Sequence, residues 1–157
     1  MAQRQARSTV PEASAVIRIK VRGIALRNGR VLVQRPTGDP DACYAFIGGS
    51  YEVGDTFAER LRKEFSEETN ATVVDSTYLF VLERRQLGGK LDQALEHYFQ
   101  VTLDRDDVES REAHLAQYWL PVASLEDYDL RPSVVRDVVA EGRLHSVRHL
   151  VECLQDG

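Results

Sequence analysis

Residues 49–71 read GSYEVGDTFAERLRKEFSEETNA. Thr56 and Glu59 stand at the spacing of a capping box, in which the threonine hydroxyl accepts from the backbone N–H three residues on and the glutamate reaches back. The spacing predicts a helix that starts at Thr56 and ends near Asn70, a residue tolerant of the left-handed backbone of a helix terminus. Phe57, Ala58, Leu61 and Phe65 recur at helical spacing and would form its buried stripe. At about 100° per residue, Glu64, Glu67 and Glu68 share one sector of this helix. Like charges at i, i+3 and i+4 repel, and the helix dipole disfavours anions in the C-terminal half, so local helix physics opposes the placement.

A solvated acidic face neutralised by Arg60, Arg62 and Lys63 is one reading. Glu64 and Glu68, however, lie close in angle to Phe57 and Leu61, so the carboxylates border the buried stripe, and partly buried carboxylates need cations. Hard oxygen ligands on a rigid helix suit Mg2+ or Mn2+, above all where substrate phosphates complete the coordination. Gly48 and Gly49 add backbone that can approach such an ion closely, since glycine imposes no Cβ. Metal-assisted attack on a phosphoanhydride is the chemistry this arrangement suits.

The same segment resembles the Nudix box: Gly, five residues, Glu, seven residues, then Arg-Glu-hydrophobic-any-Glu-Glu-any-Gly-hydrophobic. Gly49, Glu64, Phe65, Glu67, Glu68 and Ala71 meet that pattern, and the commonly associated Gly48, Glu52, Gly54 and Ala58 are present. Asp55 stands in place of the first Glu, Lys63 of Arg, Asn70 of Gly, and Ile47 of the proline that often precedes the two glycines. The resemblance implies that Glu64, Glu67, Glu68 and the Gly49 carbonyl ligate Mg2+ or Mn2+, with Asp55 and Lys63 bracing them. Lys63 keeps the charge of arginine but lacks its planar fork. The resemblance also implies one more acid from a late loop, as ligand or general base; of Glu109 and Glu112, Glu112 is preferred, so catalysis falls to Glu67, Glu68 and Glu112.

Around this segment the 157-residue chain is ordinary in composition and carries a net charge of -5, which does not favour a polyanionic surface such as DNA or an anionic membrane. Cys43 and Cys153 fit no metal or redox spacing and read as reduced thiols. Residues 1–14 read as a flexible leader without the apolar core of a secretory signal, and no apolar run is long enough to cross a bilayer, which leads to the expectation of a cytoplasmic protein. Residues 15–26, a turn at Arg27-Asn28-Gly29 and residues 30–34 predict a hairpin. Residues 44–47, 72–83, 96–103 and 118–120 read as further strands, with Gly88-Gly89-Lys90 as a loop. Pro121 and Ser124 open a helical turn, Pro132-Ser133 opens a helix to about Ala140, and an amphipathic segment over residues 143–154 reads as a closing helix. The expected fold is α/β (α+β), a mixed sheet flanked by helices in one domain over residues 15–157, like the Nudix α/β/α sandwich.

Arg35, Arg84 and Arg85 suit bidentate contact with phosphate, with plain surface arginine as the competing reading. Arg35, Arg84 and Gly48 are taken as substrate contacts. His97, the pair His145 and His149 at i, i+4, and the rings of Tyr44, Tyr51 and Phe80 are weighed as acid/base, metal and base-stacking groups, against a bland structural role for each. The resemblance implies a pyrophosphohydrolase of a nucleoside diphosphate linked to another moiety. Two alternatives remain: a nucleoside triphosphate pyrophosphatase acting on oxidised nucleotides, and a weakly active nucleotide-sensing module. The expected partner is a nucleotide-type small molecule, not a nucleic acid polymer or a membrane, and a homodimer stays open.

Overall fold

The computed structural model describes residues 16–87 and 92–155; the leader and the Gly88-Gly89-Lys90 loop lie outside them. In chain order the elements are β1 (Ile17–Ile24), β2 (Leu26–Arg27), β3 (Arg30–Pro36), β4 (Tyr44–Ala45), β5 (Ile47–Ser50), α1 (Phe57–Glu68), β6 (Val73–Leu87) and β7 (Asp92–Leu103). Then follow β8 (Leu115–Pro121), a 3-10 turn (Val122–Asp127), β9 (Leu130–Arg131), α2 (Ser133–Ala140) and β10 (His149–Gln155).

The strands form two mixed sheets. The first has the order β10-β6-β7-β1-β5, parallel between β10 and β6 and between β7 and β1, antiparallel elsewhere. The second is built on β3, which pairs with β8 along its length and with the short β2 and β4, and β4 carries β9. Leu61 and Phe65 of α1 join Val21, Val73, Phe99 and Val101 in one buried cluster. Val135, Val138 and Val139 of α2 join Ile24, Phe80, Leu82 and Tyr98 in another. Val21 and Ile24 thus serve cores on opposite faces of one strand, which explains the imperfect alternation of β1: a strand covered on both sides has no polar face to keep.

Three expectations are corrected. The hairpin is confined to β2 and β3, closed by Asn28 and Gly29 at φ 51° and 74°, the backbone that a primed two-residue turn requires. β1 instead pairs with β5 and β7, because the chain changes sheets at Ala25. The closing segment is no helix: residues 149–155 extend beside β6, with Glu152 buried and Val151 and Cys153 exposed, an alternation too short to separate from helical periodicity in sequence. Ala58 is exposed, and the buried face of α1 consists of Arg60, Leu61 and Phe65. Cys43 and Cys153 are free thiols. Among the described residues no helix is long and apolar enough to cross a membrane.

Candidate active site on the acidic helix

Helix α1 begins as its sequence demands. The Thr56 hydroxyl accepts from Glu59 N at 3.1 Å, and Thr56 N donates to Glu59 Oε1 at 3.4 Å, completing the capping box. The helix ends at Glu68, earlier than expected, with Thr69 in extended backbone as its cap. Asn70 does not adopt the left-handed conformation; its side chain grips the late loop, accepting from Glu109 N at 2.8 Å and donating to the Asp107 carbonyl at 3.3 Å.

The glutamates differ in environment. Glu64 packs against Gly49 so closely that a Cβ there would sit 2.5 Å from its carboxyl carbon. Burial raises the Glu64 pKa, partly countered by Arg60 and increased again by Glu67. Glu67 is mostly solvent-exposed. Glu68 is the most perturbed: burial pushes its carboxyl up to about 7, against a hydrogen bond from Gln34 Nε2 and with help from the Glu64 charge. Gln34 is itself fixed by Gln117 Nε2 at 3.1 Å, and Glu68 Oε2 is buried without a hydrogen-bond partner among the described residues.

The cation that organises these acids is Arg60. Its residue is 5% exposed, and its guanidinium meets Glu52 at 3.1 Å, Asp55 at 3.4 Å, Glu64 at 3.3 Å and Glu67 at 3.4 Å. Lys63, expected to act as the brace, is 55% exposed and among the described residues reaches Asp55, at 2.7 Å. Asp55 thus lies between two cations, Arg60 and Lys63. The sequence contained a signal for Arg60: residues 60, 64 and 67 stand at i, i+4 and i+7, one row of the helix. The charge pattern suggested a solvated neutraliser because arginine is seldom fully buried. Four carboxylates, from Glu52, Asp55, Glu64 and Glu67, thus face the two cations Arg60 and Lys63, and Glu68 adds a fifth acid beside Glu64. Among the described residues no group of three acidic, cysteine or histidine side chains converges as a ready metal cage.

Residues 17–140 match the model of the NUDIX domain. The chain belongs to the NUDIX family. It is accordingly a hydrolase acting on phosphoanhydrides. Its fold is similar to that of a mutator MutT protein from Bacillus halodurans, with a TM-score of 0.68 and 18% identity over 88% of this chain and 89% of that one. It is also similar to a MutT protein from Methanosarcina mazei, with a TM-score of 0.65 and 18% identity over 81% and 92%, and to a MutT NUDIX hydrolase from Burkholderia pseudomallei, with 0.58 and 19% over 80% and 97%. No curated protein matches the chain.

The remaining candidate residues of this NUDIX chain are placed as follows. The loop carrying Glu112 is pinned to the end of α1, since Arg111 N donates to the Glu68 carbonyl at 2.9 Å; the Glu112 carboxylate itself is partly exposed and 4.0 Å from His114. Gly48 has a packing reason to be glycine, for a Cβ there would fall 2.0 Å from the Val21 carbonyl oxygen. The Arg35 guanidinium lies over the rings of Tyr44 and Tyr118, 4.7 and 5.5 Å from their centroids. Arg84 stands in ion pairs with Glu96 and Glu152. His145 and His149 do not share a helix: His145 bonds Gln100, and His149 pairs with Glu83. His97 stacks on Phe57, and burial lowers its pKa; Tyr51 leans on Phe57, and Phe80 is wholly buried against Tyr98.

Proposed function

We propose that this NUDIX hydrolase is a divalent-metal-dependent pyrophosphohydrolase that cleaves a nucleoside diphosphate linked to another moiety. The observation that carries the reading is Glu68, a half-buried carboxylate with one buried oxygen that has no partner among the described residues, on a helix where Glu64 is pressed against Gly49. A buried carboxylate oxygen left without a partner is costly, and here the acids outnumber the cations, so the donor set fits a hard divalent ion. Glu64, Glu67 and Glu68, with the Gly49 carbonyl, would hold Mg2+ or Mn2+. When bound, the ion would polarise the phosphoanhydride, offset its charge and acidify a bound water.

The protein's own groups do the rest. Arg60, itself paired with Asp55, fixes the orientation of Glu64 and Glu67, and Gln34 fixes Glu68. Glu67 and Glu68 on the helix, and Glu112 on the loop pinned to the helix end, are the carboxylates offered for proton transfer. Arg35 is held over two rings with its charge available to a phosphate.

The test is product identification over nucleoside diphosphate derivatives and nucleoside triphosphates with Mg2+ and then Mn2+. Two phosphorylated products from a diphosphate derivative support the reading. Release of pyrophosphate from a triphosphate would replace it with the triphosphate pyrophosphatase, and nucleotide binding without turnover would replace it with the sensing module. Hydrolysis unchanged by Glu68→Gln would refute the metal site.

A further inference from the structure

Cross-strand register places Arg18, Lys20 and Arg22 of β1 beside Ala94, Glu96 and Tyr98 of β7. Arg84 of β6 pairs with Ala94 on one side and Glu152 of β10 on the other. By the two-residue alternation of strands these side chains share the face that carries Ile24, Phe80 and Tyr98 under α2. That face is apolar beneath the helix and cationic beyond it, where it borders a cleft of about 160 Å³ lined by Arg18, Lys20, Arg84, Gln86, Glu96 and Leu154 among others.

The cleft is built, not merely charged. Glu96 is 1% exposed and accepts from the Tyr98 hydroxyl at 2.8 Å. Arg22 lies 3.8 Å and Arg84 3.6 Å from Glu96, and Arg84 donates to Glu152 at 3.0 Å. Leaving Arg18 aside, three cations face two carboxylates, in a chain whose net charge is -5. Burial depresses the Lys20 pKa, and the Arg22 charge depresses it further, as expected of an ammonium held among like charges. No aromatic ring is among the described lining residues, so the cleft offers no platform for stacking a base. Its volume is below the roughly 300 Å³ at which pockets begin to enclose a drug-sized ligand, and suits one small anionic group. Arg22, 3.8 Å from Glu96, is also the cross-strand partner of Gly48, next to the Gly49 against which Glu64 packs, so this row of cations runs from the cleft to the acidic helix.

We propose that this cleft binds a phosphate group of the substrate remote from the scissile anhydride, with Lys20 and Arg84 as its principal contacts. The substrate class is then a nucleoside diphosphate derivative bearing one additional phosphate. The assignment of substrate rests on the hydrolase reading above; the anion site itself does not.

Titration calorimetry in EDTA, with inorganic pyrophosphate as probe, separates the two. One pyrophosphate should bind per chain, Lys20→Met and Arg84→Met should each weaken it tenfold or more, and Glu68→Gln should leave it unchanged while abolishing Mg2+-dependent hydrolysis. Arg84→Met exposes Glu96 and Glu152 to the loss of a partner, so Lys20→Met, at a half-buried site, is the deciding variant if the other fails to fold. Absence of saturable binding, or binding indifferent to Lys20→Met, overturns the anion site. Displacement of pyrophosphate by NADPH at tenfold lower concentration than by NADH supports the substrate assignment; equal or absent displacement overturns it and leaves a site for free anions.

Discussion

Replacing Arg60 by methionine removes the guanidinium while keeping an unbranched side chain of comparable reach. Four carboxylates lose a partner, but not equally. Glu52 and Glu67 are 64% and 61% exposed at their side chains, so water replaces most of what they lose. Asp55 and Glu64 are 9% and 13% exposed, and Asp55 keeps Lys63 at 2.7 Å. Glu64 bears the main loss. Breaking a buried ion pair costs roughly 3–5 kcal/mol, and the partial rescue of Asp55 puts the expected loss near the lower end, about 3 kcal/mol. For a domain of this size each kcal/mol lowers Tm by roughly 2–4 °C, so a fall of roughly 6–12 °C in EDTA is expected. Lys63→Met removes the same formal charge from an exposed position and should cost less than about 1 kcal/mol. Urea unfolding of both variants, with and without Mg2+, is the assay, and added Mg2+ should return more stability to Arg60→Met than to the wild type because the ion replaces a missing cation. If Lys63→Met proves the more damaging of the two, or Arg60→Met unfolds like the wild type, the assignment of Arg60 as the organising cation is wrong.

Other outcomes follow from the same geometry. Gly49→Ala should cut hydrolysis by about tenfold or more while costing no more than about 1–3 kcal/mol, since the added Cβ meets a movable carboxylate, whereas Gly48→Ala meets the Val21 backbone and should cost about 3 kcal/mol or more; thermal melts beside activity assays separate them. Burial holds the Glu68 proton until about pH 7, so in EDTA the folded state loses stability as pH rises from about 5 to about 8. After allowance for solvent screening this amounts to about 1–2 kcal/mol relative to Glu68→Gln, read as the difference between their stability-pH curves; parallel curves would refute it. Lys63→Arg, which restores the residue usual at that box position, should change turnover less than about twofold, because Arg60 already occupies the bracing position.

Much of the fold was legible where local rules and tertiary packing agree. The capping box at Thr56 and Glu59 formed as written, and Leu61 and Phe65 became the buried stripe. Asn28-Gly29 made its turn because few other pairs tolerate that backbone. The partners of β1 were not legible, since nothing local says which sheet a strand joins when both its faces are covered. The strand at 149–155 was missed because a seven-residue segment carries too little periodicity to separate helix from strand.

At the site, the sequence by itself placed the acids: three glutamates crowded on one helical sector make poor local sense, and their spacing pointed to the NUDIX family that the domain match shows. Only the tertiary structure decided how they are held. Arg60, Arg62 and Lys63 are near neighbours in composition, yet packing buries one beneath four carboxylates and leaves Lys63 in water on Asp55. Likewise the cations of β1 and β6, spread over more than sixty residues, became one face only when register aligned their strands. Charge is written in the sequence, but the energy of a charge depends on its distance to other charges and to water, and those distances exist only once the chain is folded.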